Sequence, residues 1–157
     1  MTRKAPPVSA ADQAGMEAAL DEARKAAASN EVPVGAVILR NGDVLSTAHN
    51  QTVARRDPTA HAELLAIQAA LQLVPSDRLE DCTLYVTLEP CAQCAGAIVL
   101  AKVGRLVFGA YDEKAGMCGS VGDLVRHQKL NHRVEVQGGV MEEPCSDLLS
   151  EFFQAKR

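Results

Sequence analysis

Two short stretches constrain this chain more than anything else in it: His61-Ala62-Glu63 and Pro90-Cys91-Ala92-Gln93-Cys94. Between them they hold one imidazole, two thiols and a carboxylate. A fold that uses them together must bring the two stretches face to face. Imidazole nitrogen and thiolate sulfur are ligand types that Zn²⁺ takes in a tetrahedral shell. Three protein ligands, His61, Cys91 and Cys94, leave one corner for water, which is the arrangement of a catalytic rather than a structural site. Glu63 lies two residues from His61, close enough to serve that water as a proton carrier.

Each half of this pattern is weak alone. Cys91 and Cys94 by themselves read equally as half of a structural zinc knuckle. That reading needs two further ligands at similar spacing, and the chain has no second C-x-x-C and no H-x₃-H. The spacing predicts that Cys91 and Cys94 occupy the first turn of one helix, i and i+3, with both sulfurs to one side. Free N–H groups and the positive end of the helix dipole meet there and favour the thiolate. His61 and Glu63 are expected in the first turn of a second helix.

Five cysteines in a chain whose start, Met1 to Pro7, lacks the apolar core of a secretory signal suggest metal chemistry before disulfides. Cys82, Cys118 and Cys145 stand alone and read as small apolar residues. The same start gives the expectation of a cytoplasmic protein, and no apolar run reaches the roughly 18 residues of a membrane span. A length of 157 residues predicts a single domain over 1–157, with residues 1–8 flexible. The net charge of −4 argues against a general nucleic-acid coat. It leaves room for a local basic rim built from Arg55-Arg56, Arg126 to Lys129, Arg133 and Lys156-Arg157; the same residues read equally as solvated charges.

The remaining pattern supplies a scaffold. Ser9 to Ser29 reads as a helix, N-capped by Ser9, with Met16, Leu20, Ala23 and Ala27 inward. Val34 to Arg40 is a buried strand, Asn41-Gly42 a hairpin turn, and Asp43 to Ala48 an edge strand. After a loop, Thr59 is expected to cap a helix from Ala60 to Leu73 with Leu64, Ile67 and Leu71 inward. Thr83 to Thr87 is a strand feeding a helix from Cys91 to Ala101, and Arg105 to Ala110 is another strand. Tyr111 to Val121 is a loop, Asp123 to His127 a short helix, Arg133 to Gln137 the last strand and Ser146 to Gln154 the closing helix. This order predicts an α/β, three-layer α-β-α sandwich around a mixed five-stranded sheet. The two ligand-bearing helix starts fall at one end of it.

Four longer stretches carry a family resemblance. They are Val32-Pro33-Val34-Gly35-Ala36-Val37, Asp57-Pro58-Thr59-Ala60-His61-Ala62-Glu63, Leu84 to Cys91, and Asn131-His132-Arg133-Val134-Glu135. The chain resembles bacterial tRNA-specific adenosine deaminases from about Ala14 to Phe153, and H-x-E…P-C-x-x-C is the zinc deaminase signature. The resemblance implies a cytidine-deaminase-like fold, one Zn²⁺ per subunit and a homodimer. It also implies hydrolytic conversion of adenosine to inosine at the wobble position of an arginine tRNA anticodon, with the anticodon stem-loop as partner. By the same resemblance Asn50 contacts the flipped base, Val34 and Ala60 wall the pocket, and Asp112, Asn131 and the closing helix lie near the anticodon loop. Read as residues alone, Asn50 equally caps a strand end and Asp112 equally sits in a turn. Tyr111 departs from the family pattern, which leads one to expect a basic residue beside Asp112. Two rivals share the metal motif: a free nucleobase or nucleoside deaminase acting on guanine or cytosine, and a non-catalytic zinc-binding module.

Overall fold

A computed structural model describes residues 8–156. The expected flexibility of residues 1–8 falls almost wholly outside the described residues. Nine elements follow one another. They are α1 (Ala10–Ala28), β1 (Gly35–Arg40), β2 (Asp43–His49), α2 (Ala62–Leu71), β3 (Cys82–Leu88), α3 (Ala92–Leu100), β4 (Arg105–Ala110), β5 (Glu135–Gln137) and α4 (Glu142–Ala155). The strands form one five-stranded sheet in the order β2-β1-β3-β4-β5. β1 is antiparallel to both β2 and β3, whereas β3, β4 and β5 run parallel. The mixed sheet expected from the order of elements is therefore the sheet observed.

Strand alternation sorts the core into two layers. Ala36, Ile38, Leu84, Val86, Leu106 and Phe108 point to the face covered by α2 and α3. Val37, Tyr85 and Val107 point to the opposite face, where Met16, Ala19 and Leu20 of α1 and Cys145 of α4 meet them. Gly35 has to be glycine because a Cβ there would overlap the Ala19 carbonyl of α1. The hairpin forms as expected: Asn41 and Gly42 both have positive φ, 51° and 83°, the pair of left-handed residues that a two-residue turn demands.

Connectivity places the helix starts. β2 and β3 are both antiparallel to β1, so they end at the same edge of the sheet. α2 follows β2, and α3 follows β3, so both helices begin at that edge.

Four local expectations give way to longer-range forces. α2 starts at Ala62, not Ala60, with His61 as its N-cap residue. Thr59 is instead tied to Asp57, donating both its N–H and its hydroxyl to Oδ1 (2.9 and 2.6 Å). The inward face of α2 is Ala62, Glu63, Ala66, Ile67 and Ala70. Leu64 and Leu71 are only half-buried, because a helix apolar on every side gives no single stripe to read. Asp123 to His127 forms turns and an isolated bridge, not a helix. α4 begins four residues before Ser146, at Glu142; Pro144 falls in its first turn, where no intrahelical N–H is lost. Its face is Cys145, Leu148, Leu149 and Phe152, with Phe153 left exposed.

Candidate active site

The two ligand stretches converge as N-cap residues. His61 caps α2 and Cys91 caps α3, and neither uses its side chain as a helix cap. The first N–H of α2 is served from elsewhere: Ala62 N donates to Asn50 Oδ1 at 2.8 Å. His61 is thereby free to turn its ring outward. Its Nδ1 lies 3.6 Å from Cys91 Sγ and 3.5 Å from Cys94 Sγ. All three ligand atoms fall within 4.8 Å of one another.

These distances fit zinc. Bonds of roughly 2.3 Å to sulfur and 2.05 Å to nitrogen at the tetrahedral angle put N and S about 3.6 Å apart. Outer contacts fix the ligands as such sites require. The Pro58 carbonyl hydrogen-bonds with the His61 ring. Gln93 Nε2 donates to the Thr59 carbonyl at 3.0 Å, tying the start of α3 to the loop before α2. Gln93, noted in the sequence only as filling the C-x-x-C interior, is a bridge.

The Cys94 thiol and then the imidazole hydrogen-bond to Cys91 and pull its pKa well down. Cys94 is pushed up by that bond to Cys91 and by burial. The imidazole is raised, chiefly by its bond to Cys91. One imidazole nitrogen and two sulfurs this close together are a donor set suited to a zinc dication.

Glu63 sits beside the cluster at only 4 % exposure. Burial drives its pKa from 4.5 to about 7, although its own N–H, His61 and the Cys94 thiol pull the other way. A carboxyl balanced near neutrality serves equally as proton acceptor and donor.

A cavity of about 410 Å³ opens over these groups, lined by Val34, Asn50, Thr52, His61, Glu63, Glu89, Cys91 and Asp112 among others. Of the residues named from sequence, Val34, Asn50 and Asp112 line it together with Glu63 and two of the ligands. Ala60 is buried behind the wall rather than lining it. Asn131 is exposed and does not line it. Among the described residues no acceptor takes Asn50 Nδ2. Tyr111 stacks edge-on against Phe108, with ring centroids 5.1 Å apart, and belongs to the packing rather than to a charged rim. The lone cysteines Cys82, Cys118 and Cys145 are all buried.

Sequence reasoning missed two carboxylates that shape the cavity walls. Glu31, 1 % exposed, receives the N–H groups of Val53 and Ala54 (3.0 and 2.8 Å) and the Thr52 hydroxyl. Burial raises its pKa, but those donors outweigh burial and the net shift is downward. Glu89 does the same for the loop after β4. Neither residue has a periodicity or spacing that marks its partners.

A family model for MafB19-like deaminases matches residues 10–157. The chain is 46 % identical over 146 residues to the tRNA-specific adenosine deaminase of Bacillus subtilis, covering 93 % of this chain and 91 % of that protein. The chain belongs to the tRNA-specific adenosine deaminase family. The Aquifex aeolicus tRNA-specific adenosine deaminase is also 46 % identical, over 90 % of this chain and 93 % of that one. Among solved structures, one from a study of A-to-I editing by tRNA:A34 deaminases at the wobble position superposes with a TM-score of 0.83 at 40 % identity. It covers 87 % of this chain and 99 % of that chain, and the cytidine-deaminase-like fold is shared. A guanine deaminase from Nitrosomonas europaea is similar at a TM-score of 0.78 and 25 % identity, over 94 % and 87 % of the two chains. The family is one of enzymes, so the non-catalytic module falls away.

Proposed function

We propose that this protein deaminates adenosine to inosine in tRNA, at the wobble position of an arginine tRNA anticodon, with one Zn²⁺ per subunit. The observation that carries the reading is Glu63, buried in the cavity floor beside three ligand atoms spaced as the edges of a zinc tetrahedron. When bound, zinc at His61, Cys91 and Cys94 supplies a Lewis acid that makes water nucleophilic near neutral pH.

The chain's own residues do the rest. Glu63 takes a proton from the attacking water and passes it to the ring nitrogen of the base. The water oxygen bonds to the amine-bearing carbon. Glu63 then takes the proton of that added hydroxyl and delivers it to the exocyclic amine; the C–N bond breaks and the amine leaves as ammonia, so adenosine and water become inosine and ammonia. A pKa of about 7 suits both directions of transfer. Asn50 is the base-contacting residue. Its Oδ1 is committed to the Ala62 N–H, which leaves its amide donors for the substrate. Val34 packs against the base, and Asp112 meets the neighbouring nucleotide. Ala60 supports the wall from behind. Asn131 and α4 serve the outer part of the anticodon loop. Bases of a single-stranded loop are splayed out at modest cost, which suits an open cavity of this size.

The protein works as a homodimer in the cytoplasm. No described helix is long and apolar enough to cross a membrane. The outer face of α3 supports the dimer: Leu100 is 80 % exposed, and the space where a Gly96 Cβ would stand is open among the described residues. Arg55, Arg126 and Lys129 are exposed; Arg126 is paired with Asp123 (2.7 Å) and Arg55 donates to Gln51 (2.7 Å), so of the three Lys129 is the one offered to phosphates.

The likeness to a guanine deaminase favours one other reading, action on a free base. An assay of an anticodon stem-loop beside free guanine, cytosine and adenosine separates the two. Inosine in the RNA is the expected outcome. Ammonia from a free base with unmodified RNA would replace the tRNA reading.

A further inference from the structure

Glu89 is 2 % exposed and is in no ion pair among the described residues, yet its carboxylate is saturated. Oε1 accepts the Asp112 N–H at 3.0 Å and the Ser120 hydroxyl at 2.5 Å. Oε2 accepts the N–H groups of Cys118 and Ser120, both at 3.0 Å. Four donors from one loop fill the four acceptor positions of one carboxylate. The loop closes so tightly around it that a Cβ on Gly116 would overlap the carboxyl group. Next to it, the Met117 N–H donates to the Pro90 carbonyl at 2.9 Å.

The consequence is mechanical. A buried charge costs little only while its hydrogen bonds are made. The loop therefore cannot lift away without stranding that charge. Glu89 lies two residues before the ligand Cys91, so the loop is held on the same turn that holds the metal site. Asp112 and Ala115 of this loop line the cavity. The Asp112 carboxylate is itself engaged, accepting the N–H groups of Lys114 and Ala115 (3.0 and 3.1 Å).

We propose that Glu89 is a positioning residue for substrate: it fixes the Asp112–Ser120 loop as a rigid cavity wall, so that the RNA meets a rim already shaped. This rests on the deaminase reading above. Substrate pays no ordering cost for this wall, so the residue's effect falls on KM more than on kcat.

Glu89→Gln tests it in the zinc-loaded, full-length protein. A glutamine places an NH₂ donor against backbone N–H donors and breaks at least one bond. Amide exchange at Asp112, Cys118 and Ser120 should quicken while Val53 and Ala54 keep their protection. KM for an anticodon stem-loop should rise about tenfold to a hundredfold, with the larger part of the loss in KM and zinc content intact. Faster exchange with an unchanged KM would overturn the proposal, as would loss of zinc with loss of kcat. Ser120→Ala removes a single donor and keeps the carboxylate. Should Glu89→Gln fail to fold, a KM for Ser120→Ala equal to wild type overturns the proposal, and a rise of a few fold supports it. The exchange readout needs no substrate. Wild type that leaves the RNA unmodified would therefore discredit the tRNA reading and not the hold of Glu89 on its loop.

Discussion

Two carboxylates buried on opposite faces of the same sheet meet opposite fates. Asp12, under α1, is clamped by Arg105, whose two terminal nitrogens reach its two oxygens at 2.6 and 2.8 Å, and by the Tyr85 hydroxyl at 2.8 Å. The Arg105 hydrogen bonds hold its pKa below the usual carboxylate range against the opposing effect of burial. Glu63, under α2, has no such cation, and burial lifts it to about 7. One charge is fixed and joins α1 to β3 and β4. The other can move a proton because the groups that favour its charge, its own N–H, His61 and the Cys94 thiol, do not offset its burial. The difference teaches that burial alone does not mark a functional acid; burial beside a cavity with neither a counter-charge nor a saturating set of hydrogen-bond donors, such as Glu89 has, does.

The largest effect expected on this comparison comes from the ligands. His61→Ala or Cys91→Ser should lose zinc and bring deamination down to background, with a lower thermal midpoint, measured by metal analysis and a melting curve. A variant that keeps zinc and turnover would remove the site from the Glu63 side of the contrast.

The next effect is a pH slope of stability in metal-free protein. Glu63 binds its proton more tightly folded than unfolded, so stability should fall as pH rises from about 4.5 to about 7. The whole change is about 3 kcal/mol, and Glu63→Gln should flatten it in urea unfolding. Asp12 has the opposite sign. Its contribution is complete above the unfolded value of about 4 and disappears as pH falls through the lowered folded value. Asp12→Asn should cost about 2 kcal/mol at pH 7, less than a fully buried pair, because Arg105 keeps a quarter of its exposure. The gap from wild type should close as pH falls through that lowered folded value. The smallest effect is local: Ser9→Ala loses the cap bond to the Asp12 N–H (3.0 Å) and should cost about 1 kcal/mol without touching activity.

What the sequence disclosed and what it hid divide along the same line. Strand β4 and the Asn41-Gly42 turn were legible because alternation and turn chemistry act between neighbours. The ligand set was legible because metal chemistry admits few residue types and few spacings. The start of α2 was misread by two residues because its first N–H is capped by Asn50, twelve residues upstream, and not by Thr59. Glu31, Glu89 and the Asp12–Arg105 clamp left no trace, since a charged residue does not announce a partner tens of residues away. Asp12 was visible only as an acid near a helix start.

The central claim is that Glu63 carries the proton in an RNA deamination, beside a metal it does not itself hold. Inosine mapping of tRNA treated with wild type and with Glu63→Gln, at matched zinc content, tests it most directly. The account predicts inosine at the wobble position with wild type, and a rate lower by about 10²–10⁴-fold with the variant. Near-normal inosine formation by a zinc-loaded Glu63→Gln protein would contradict it.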